Sequence, residues 1–225
     1  MWKQIYNTLE EAFPQFTVDE WWGISDPFER MAGSILVQNT TWSNAAKALE
    51  SLRRHSLLSA GILAGSERES IGEMNRSAGF YRAKSAALIS LSRWILQKGG
   101  IDKLLNSTEA TDVLRGELLK IKGIGTETAD TILAYALQRP TISGDAYSRR
   151  LYARITSQYL EYDELRRVML NDFTKTDQLQ RLHGLIVEHG KAFCKKKSPD
   201  CSNCPLQQEC HFAKEYIALK KSPLS

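Results

Sequence analysis

The segment "ATDVLRGELLKIKGIGTETADTILAYAL", Ala110–Leu137, decides the fold. Two apolar faces at helical spacing flank one tight turn. Leu114, Leu118 and Leu119 predict a first helix, and Ile132, Leu133, Tyr135 and Ala136 a second. Between them, Gly123 and Gly125 permit backbone angles that other residues resist. Thr126 is the expected N-cap of the second helix, with Glu127 in its first turn. The unpaired N–H groups and positive dipole end of such a helix suit a phosphate. Many helical hairpins use a Gly-x-Gly turn merely to turn, so the loop is informative only in context. Asp130 is expected on the helix surface.

Outward from the hairpin, nearly every segment reads helical. Trp2, Ile5, Tyr6, Leu9 and Phe13 mark an amphipathic N-terminal helix. Phe28, Met31, Ile35 and Leu36 form a second stripe, and Trp42, Ala45, Ala46 and Leu49 a third. Ala83, Ala86, Ala87, Leu91 and Ile95 form a fourth. Short breaks such as "SAGF" and "QKGG" separate them, and "PTISG" is too short to found a sheet. The expectation is an all-α chain of roughly ten helices. No internal repeat and no flexible linker divides it.

The 225 residues suffice for one large domain or two small ones. A net charge of +4 permits a nucleic-acid partner without requiring one. No run of about 18 apolar residues predicts a membrane span. The stretch "MWKQIYNTLEEAF" lacks the order of a signal peptide. A reducing, cytoplasmic compartment is therefore expected, where cysteines serve as metal ligands more often than as disulfides.

All four cysteines, Cys194, Cys201, Cys204 and Cys210, lie in "CKKKSPDCSNCPLQQEC". Four thiolates so close in sequence can surround one centre. The spacing alone admits an iron–sulfur cluster or a structural zinc. Lys195, Lys196 and Lys197, between the first two cysteines, read as a solvated run or as a basic edge for phosphates.

Downstream of the hairpin, "RPTISGDAYSRRL" sets Asp145 at the start of another helix. Taken alone, Asp145 reads as an N-cap. The order "ILVQNT", "GFYRAK", hairpin, Asp145 and cysteine loop resembles the endonuclease III-like helix-hairpin-helix (HhH-GPD) superfamily of DNA glycosylases. The resemblance covers most of the chain. It implies a two-lobed all-α fold: a six-helix barrel over residues 20–135, and a second lobe from residues 1–19 and 136–225. It implies a [4Fe–4S] cluster on the loop 194–210, held by the four cysteines. It makes Asp145 the catalytic carboxylate, which stabilises the charge left on deoxyribose when a base departs. The implied partner is double-stranded DNA holding damaged bases, and the implied protein is a DNA-associated monomer of a bacterial or archaeal cytoplasm.

Further residues follow from the same resemblance. Strand-cleaving members keep a lysine two residues after the second hairpin glycine, and this chain has Glu127 there. A carboxylate forms no Schiff base, so base removal without strand cleavage is expected. Trp21 or Trp22, together with Trp42, matches the base pocket of the helix-hairpin-helix 3-methyladenine DNA glycosylases, with Glu127 expected to face the same cavity, although adjacent tryptophans also suit a core. Gln38 is the implied plug for the vacated base and Phe80 the implied wedge. Their ordinary alternatives are a helix-end hydrogen bond and core packing. Gly123, Gly125 and Thr126 would meet the DNA backbone, and the carbonyls of Leu119, Ile121 and Ile124 would hold a monovalent cation. Competing readings are a glycosylase for damaged pyrimidines or mismatched thymine, with or without lyase action, a non-catalytic DNA-binding module, and a redox sensor.

Overall fold

The computed structural model describes residues 1–221; the last four residues of the expected second lobe lie outside the described residues. Fourteen α-helices account for the architecture, with no strand among the described residues. In chain order they are α1 (Trp2–Ala12), α2 (Val18–Trp22), α3 (Pro27–Leu36), α4 (Trp42–Arg54), α5 (Ala60–Gly65), α6 (Arg68–Met74) and α7 (Tyr81–Gln97). There follow α8 (Ile101–Leu105), α9 (Thr111–Leu118), α10 (Thr126–Thr131), α11 (Ala146–Thr156), α12 (Tyr162–Asp172), α13 (Thr176–Ala192) and α14 (His211–Lys221). The number exceeds the roughly ten expected because α2, α5, α6 and α8 are only five to seven residues long. So short a helix never completes the two turns over which an apolar stripe becomes visible.

The chain forms two compact units. One runs over Trp22–Pro140; the other joins Met1–Trp21 to the chain from Thr141 onward. Each has its own apolar core. In the Trp22–Pro140 unit, Met31, Ile35 and Leu36 of α3 pack with Leu49 and Leu52 of α4, Leu88 and Leu91 of α7, and Ile132 and Leu133 of the hairpin. In the other unit, Trp2, Ile5 and Leu9 of α1 join Leu165 and Met169 of α12 and Leu179, Leu182 and Leu185 of α13. Burial of these side chains at about 25 cal/mol per Å² supplies most of the driving force in each.

The hairpin forms as α9, a turn, and α10 continuing into a π-helical turn at Ile132–Ala136. Three sequence expectations are corrected here. Leu119 is 36% exposed, because α9 ends at Leu118 and leaves it beyond the apolar face. The N-cap of α10 is Gly125, with Thr126 already helical. Asp130 is fully buried rather than at the surface. Its carboxylate accepts Arg115 Nε at 3.0 Å and Arg115 Nη2 at 3.1 Å. A planar guanidinium meets a carboxylate through two bonds, so this pair clamps α9 to α10. An uncompensated charge at that depth would cost about 3–5 kcal/mol.

Helix α7 brings a fourth correction. Ala83 is exposed and the next residue, Lys84, is only 3% exposed. The buried face begins one position later than the alanine pattern indicated, because a lysine occupies an inward position.

Candidate functional site

Asp145 is positioned by the turn that precedes α11. Arg166 Nε donates to Thr141 Oγ1 at 2.9 Å, and Tyr162 OH donates to Ser143 Oγ at 3.2 Å. A Cβ at Gly144 would stand 2.5 Å from the carbonyl oxygen of Tyr162. Only glycine lets the turn approach α12 this closely. The approach sets Asp145 as the N-cap of α11, where its Oδ1 accepts Ser148 N–H at 2.8 Å. The local role read from the sequence is therefore real, and it occupies one oxygen only.

The other oxygen, Oδ2, lies 3.5 Å from His183 Nε2 on α13, and both side chains are buried. Burial by itself would raise the Asp145 carboxyl. The facing His183 and the Ser148 backbone and hydroxyl outweigh it and hold the carboxyl below its ordinary value of 3.8. Trp21 sets its ring edge-on to His183 at 6.1 Å and donates Nε1–H to Glu188 at 2.9 Å. Sequence reasoning missed His183, whose signal was a lone histidine on the apolar face of a helix between Leu182 and Leu185.

The tryptophans are separated. Trp21 belongs to the unit of Asp145, whereas Trp22 and Trp42 belong to the unit of the hairpin. Trp22 is 7% exposed, packed edge-on against Trp42 at 5.3 Å and tilted against Tyr135 at 5.3 Å. Trp42 is half-buried, and its ring lies over Gly33, where an added Cβ would be 3.2 Å from Cη2. Glu127 is exposed on the first turn of α10.

Gln38 follows α3, and its Nε2 donates to Gly123 O at 2.9 Å and Thr128 Oγ1 at 2.8 Å. The side chain therefore braces the hairpin. Gly123 has φ +95°, which requires glycine; Gly125 has an ordinary φ of −92°, and a Cβ there would meet nothing within 4 Å. Phe80 is 72% exposed and sits at φ +45°, an uncommon angle for a bulky residue. Of the three hairpin carbonyls considered for a cation, that of Ile121 accepts Ile124 N–H at 3.0 Å.

The four cysteines are free thiols lining one cavity with Arg154, His189, Phe193, Leu206 and Phe212. Arg154 Nη1 donates to Cys194 Sγ at 3.1 Å, and His189 Nε2 lies 3.2 Å from Cys204 Sγ. Burial pushes the Cys204 thiol up to about 12 and also raises Cys201 and Cys210. Burial, with Arg150 and Arg154 behind it, lowers His189 to about 4. Among the described residues, no group of three or more His, Cys, Asp and Glu side chains is arranged to hold a metal ion. Arg154 also donates to the carbonyls of Lys195 and Lys196, at 2.9 and 3.4 Å, while Lys195, Lys196 and Lys197 stay exposed. No described helix is long and apolar enough to cross a membrane.

A hairpin pinned by a buried ion pair, followed by a turn that caps a helix with a buried aspartate, defines a class. Residues 32–169 match the model of the HhH-GPD superfamily base excision DNA repair proteins, and the chain belongs to that superfamily, whose enzymes are DNA glycosylases. It is 34% identical over 212 residues to MJ1434 of Methanocaldococcus jannaschii, covering 92% of this chain and 96% of that one. Among solved structures it resembles the 3-methyladenine DNA glycosylase MagIII of H. pylori bound to 1,N6-ethenoadenine. That match has 28% identity and a TM-score of 0.72, and covers 84% of this chain and 96% of the other. A non-covalent endonuclease III–DNA complex shares the fold at 22% identity and a TM-score of 0.78, covering 97% of this chain and 99% of that one.

The lowered Asp145 carboxyl makes a pH prediction. Because its folded value lies below its unfolded one, its contribution to stability is full above about pH 4 and is lost as pH falls through the folded value. Urea unfolding of the wild type and Asp145→Asn from about pH 7 to about pH 2 should give a free-energy difference that changes only below about pH 4. A difference that changes instead between about pH 5 and 7 would contradict the lowered carboxyl.

Proposed function

We propose that the chain is a monofunctional DNA glycosylase that releases alkylated purines such as 3-methyladenine from duplex DNA by hydrolysis, with Asp145 as its catalytic residue. The observation that carries this reading is a buried carboxylate kept ionised, with Ser148 N–H on one oxygen and His183 facing the other. When the N-glycosidic bond breaks, its electron pair leaves with the base and positive charge remains on the deoxyribose. A fixed anion stabilises that charge without reorganising during the reaction. Water then forms the new bond to the sugar carbon and its proton passes to solvent. With its carboxyl held below the ordinary value, Asp145 is a weak base and a good electrostatic partner. Such a site suits a base that already carries positive charge and leaves without acid assistance. The likeness to the H. pylori 3-methyladenine enzyme supports the same class of lesion. Trp42, half-buried beside Trp22, offers an indole for a cationic base, worth about 0.5–2 kcal/mol.

The base must leave the helical stack before it can react. Phe80, exposed at the tip of its turn, is the wedge. Gln38 would fill the vacated space only after its amide leaves Gly123 and Thr128. Gly125 is not demanded by the fold, and its missing side chain leaves the hairpin N–H groups open to a phosphate. Hairpin carbonyls, those of Leu119 and Ile124 among them, are the candidate site for a monovalent cation on the DNA backbone. Glu127 stands where a lysine nucleophile would be needed for strand cleavage, so water is the only nucleophile in this reading.

The cysteine cavity is read as the seat of a [4Fe–4S] cluster. The donor chemistry supports this: four free thiols line one cavity, with Arg154 donating to one sulfur, although the thiols are not drawn together into a ligand set. Buried thiols resist ionisation, and an iron–sulfur core supplies the positive charge that four thiolates need. Through Arg154 the loop then holds the backbone of Lys195 and Lys196, so that these two and the neighbouring Lys197 form a basic edge for phosphates.

Two measurements test this. Purified protein should release free base from duplexes holding 3-methyladenine and leave abasic sites, with no covalent adduct under borohydride. An adduct, or release only from damaged-pyrimidine or mismatched-thymine duplexes, would overturn the monofunctional alkylpurine reading. As isolated, the protein should be brown, absorbing near about 400 nm. Cys204→Ser should lose that colour and be cut faster by trypsin at Lys195–Lys197. Colourless protein containing zinc would replace the cluster with a zinc site.

A further inference from the structure

Lys84 is buried on α7, yet base release as described makes no use of it. Its ammonium donates to three backbone carbonyls: Leu36 O at 2.8 Å, Gln38 O at 2.9 Å and Ala78 O at 2.6 Å. An ammonium has three donors, so these acceptors use all of them. Burial lowers its pKa, as expected for a cation taken out of water. Packing alone would be served better by an apolar side chain.

The three acceptors share a feature. Leu36 ends α3 and Gln38 lies in the turn after it, just before Asn39 at φ +55°. Ala78 ends a short 3-10 turn just before Gly79 at φ +69° and Phe80 at φ +45°. Two consecutive residues with positive φ, one a phenylalanine, do not persist without restraint. Lys84 restrains them from both sides: its side chain holds Ala78 O, and its backbone N–H holds Phe80 O at 3.1 Å. The same ammonium reaches the Gln38 turn, and the Gln38 amide reaches the hairpin at Gly123 and Thr128. One buried cation thus joins the two loops.

We propose that Lys84 is a positioning residue that locks the Phe80 turn to the Gln38 turn, so that the aromatic wedge enters the duplex as a rigid part of the hairpin unit. This rests on Phe80 being the wedge, and the experiment separates the two claims. Duplexes carry 2-aminopurine beside a non-cleavable abasic analogue, and its fluorescence at saturating protein reports unstacking. Wild type, Phe80→Ala, Lys84→Met and the double variant are compared. Phe80→Ala should lower the signal about threefold or more, Lys84→Met should lower it by a similar factor, and the double variant should be no worse than Phe80→Ala. Multiplying effects, or a full signal in Lys84→Met, overturns the positioning role. A full signal in Phe80→Ala overturns the wedge itself. If Lys84→Met does not fold by circular dichroism, Lys84→Gln, which keeps two donors without the charge, takes its place in the cycle. A chain unfolded by both substitutions makes Lys84 a folding residue only and also overturns the proposal.

Discussion

A carboxylate buried away from water and still ionised must be held by donors, and the donors must themselves be held. That constraint organises the unit around Asp145. The Ser148 N–H comes from the first turn of α11, and His183 comes from α13. Trp21 stands against His183, and Glu188 fixes Trp21 by its indole N–H. Gly144 allows the preceding turn to press onto α12, while Arg166 and Tyr162 fasten Thr141 and Ser143. Each contact is modest; together they give one side chain a single orientation and a single protonation state at neutral pH.

The hairpin unit follows a similar rule with opposite charge. Lys84 is a buried cation satisfied by carbonyls, and Asp130 is a buried anion satisfied by Arg115. Both sit where a purely apolar core would have been simpler. The first ties two loops together, and the second ties the two hairpin helices. Specific placement of backbone is what a buried charge adds to apolar packing, because it accepts only partners of fixed direction.

Much of this was legible in the sequence. Closely spaced cysteines have few uses, so their shared cavity was visible from spacing. The hairpin was visible because two apolar faces flanked a Gly-x-Gly turn, and the helix start at Asp145 because aspartate caps helices well. What escaped were residues whose partners lie far along the chain. Asp130 looked exposed because a charged residue on a helix usually is, and nothing local announces Arg115 as its partner. His183 looked like one more core position. Lys84 broke the alanine pattern of α7 by one residue, since a periodicity that counts only apolar side chains cannot register a buried cation. Thr126 was displaced as N-cap by Gly125 because the turn closes one residue earlier than the side-chain preference suggests.

In the proposed function the Asp145 carboxylate stabilises charge on the sugar while the base departs. Single-turnover release of 3-methyladenine by Asp145→Asn tests it most directly, since asparagine keeps the size and loses the charge. Release should be slowed by about a hundredfold or more, with binding to an abasic-analogue duplex changed far less. Release as fast as that of the wild type would contradict it.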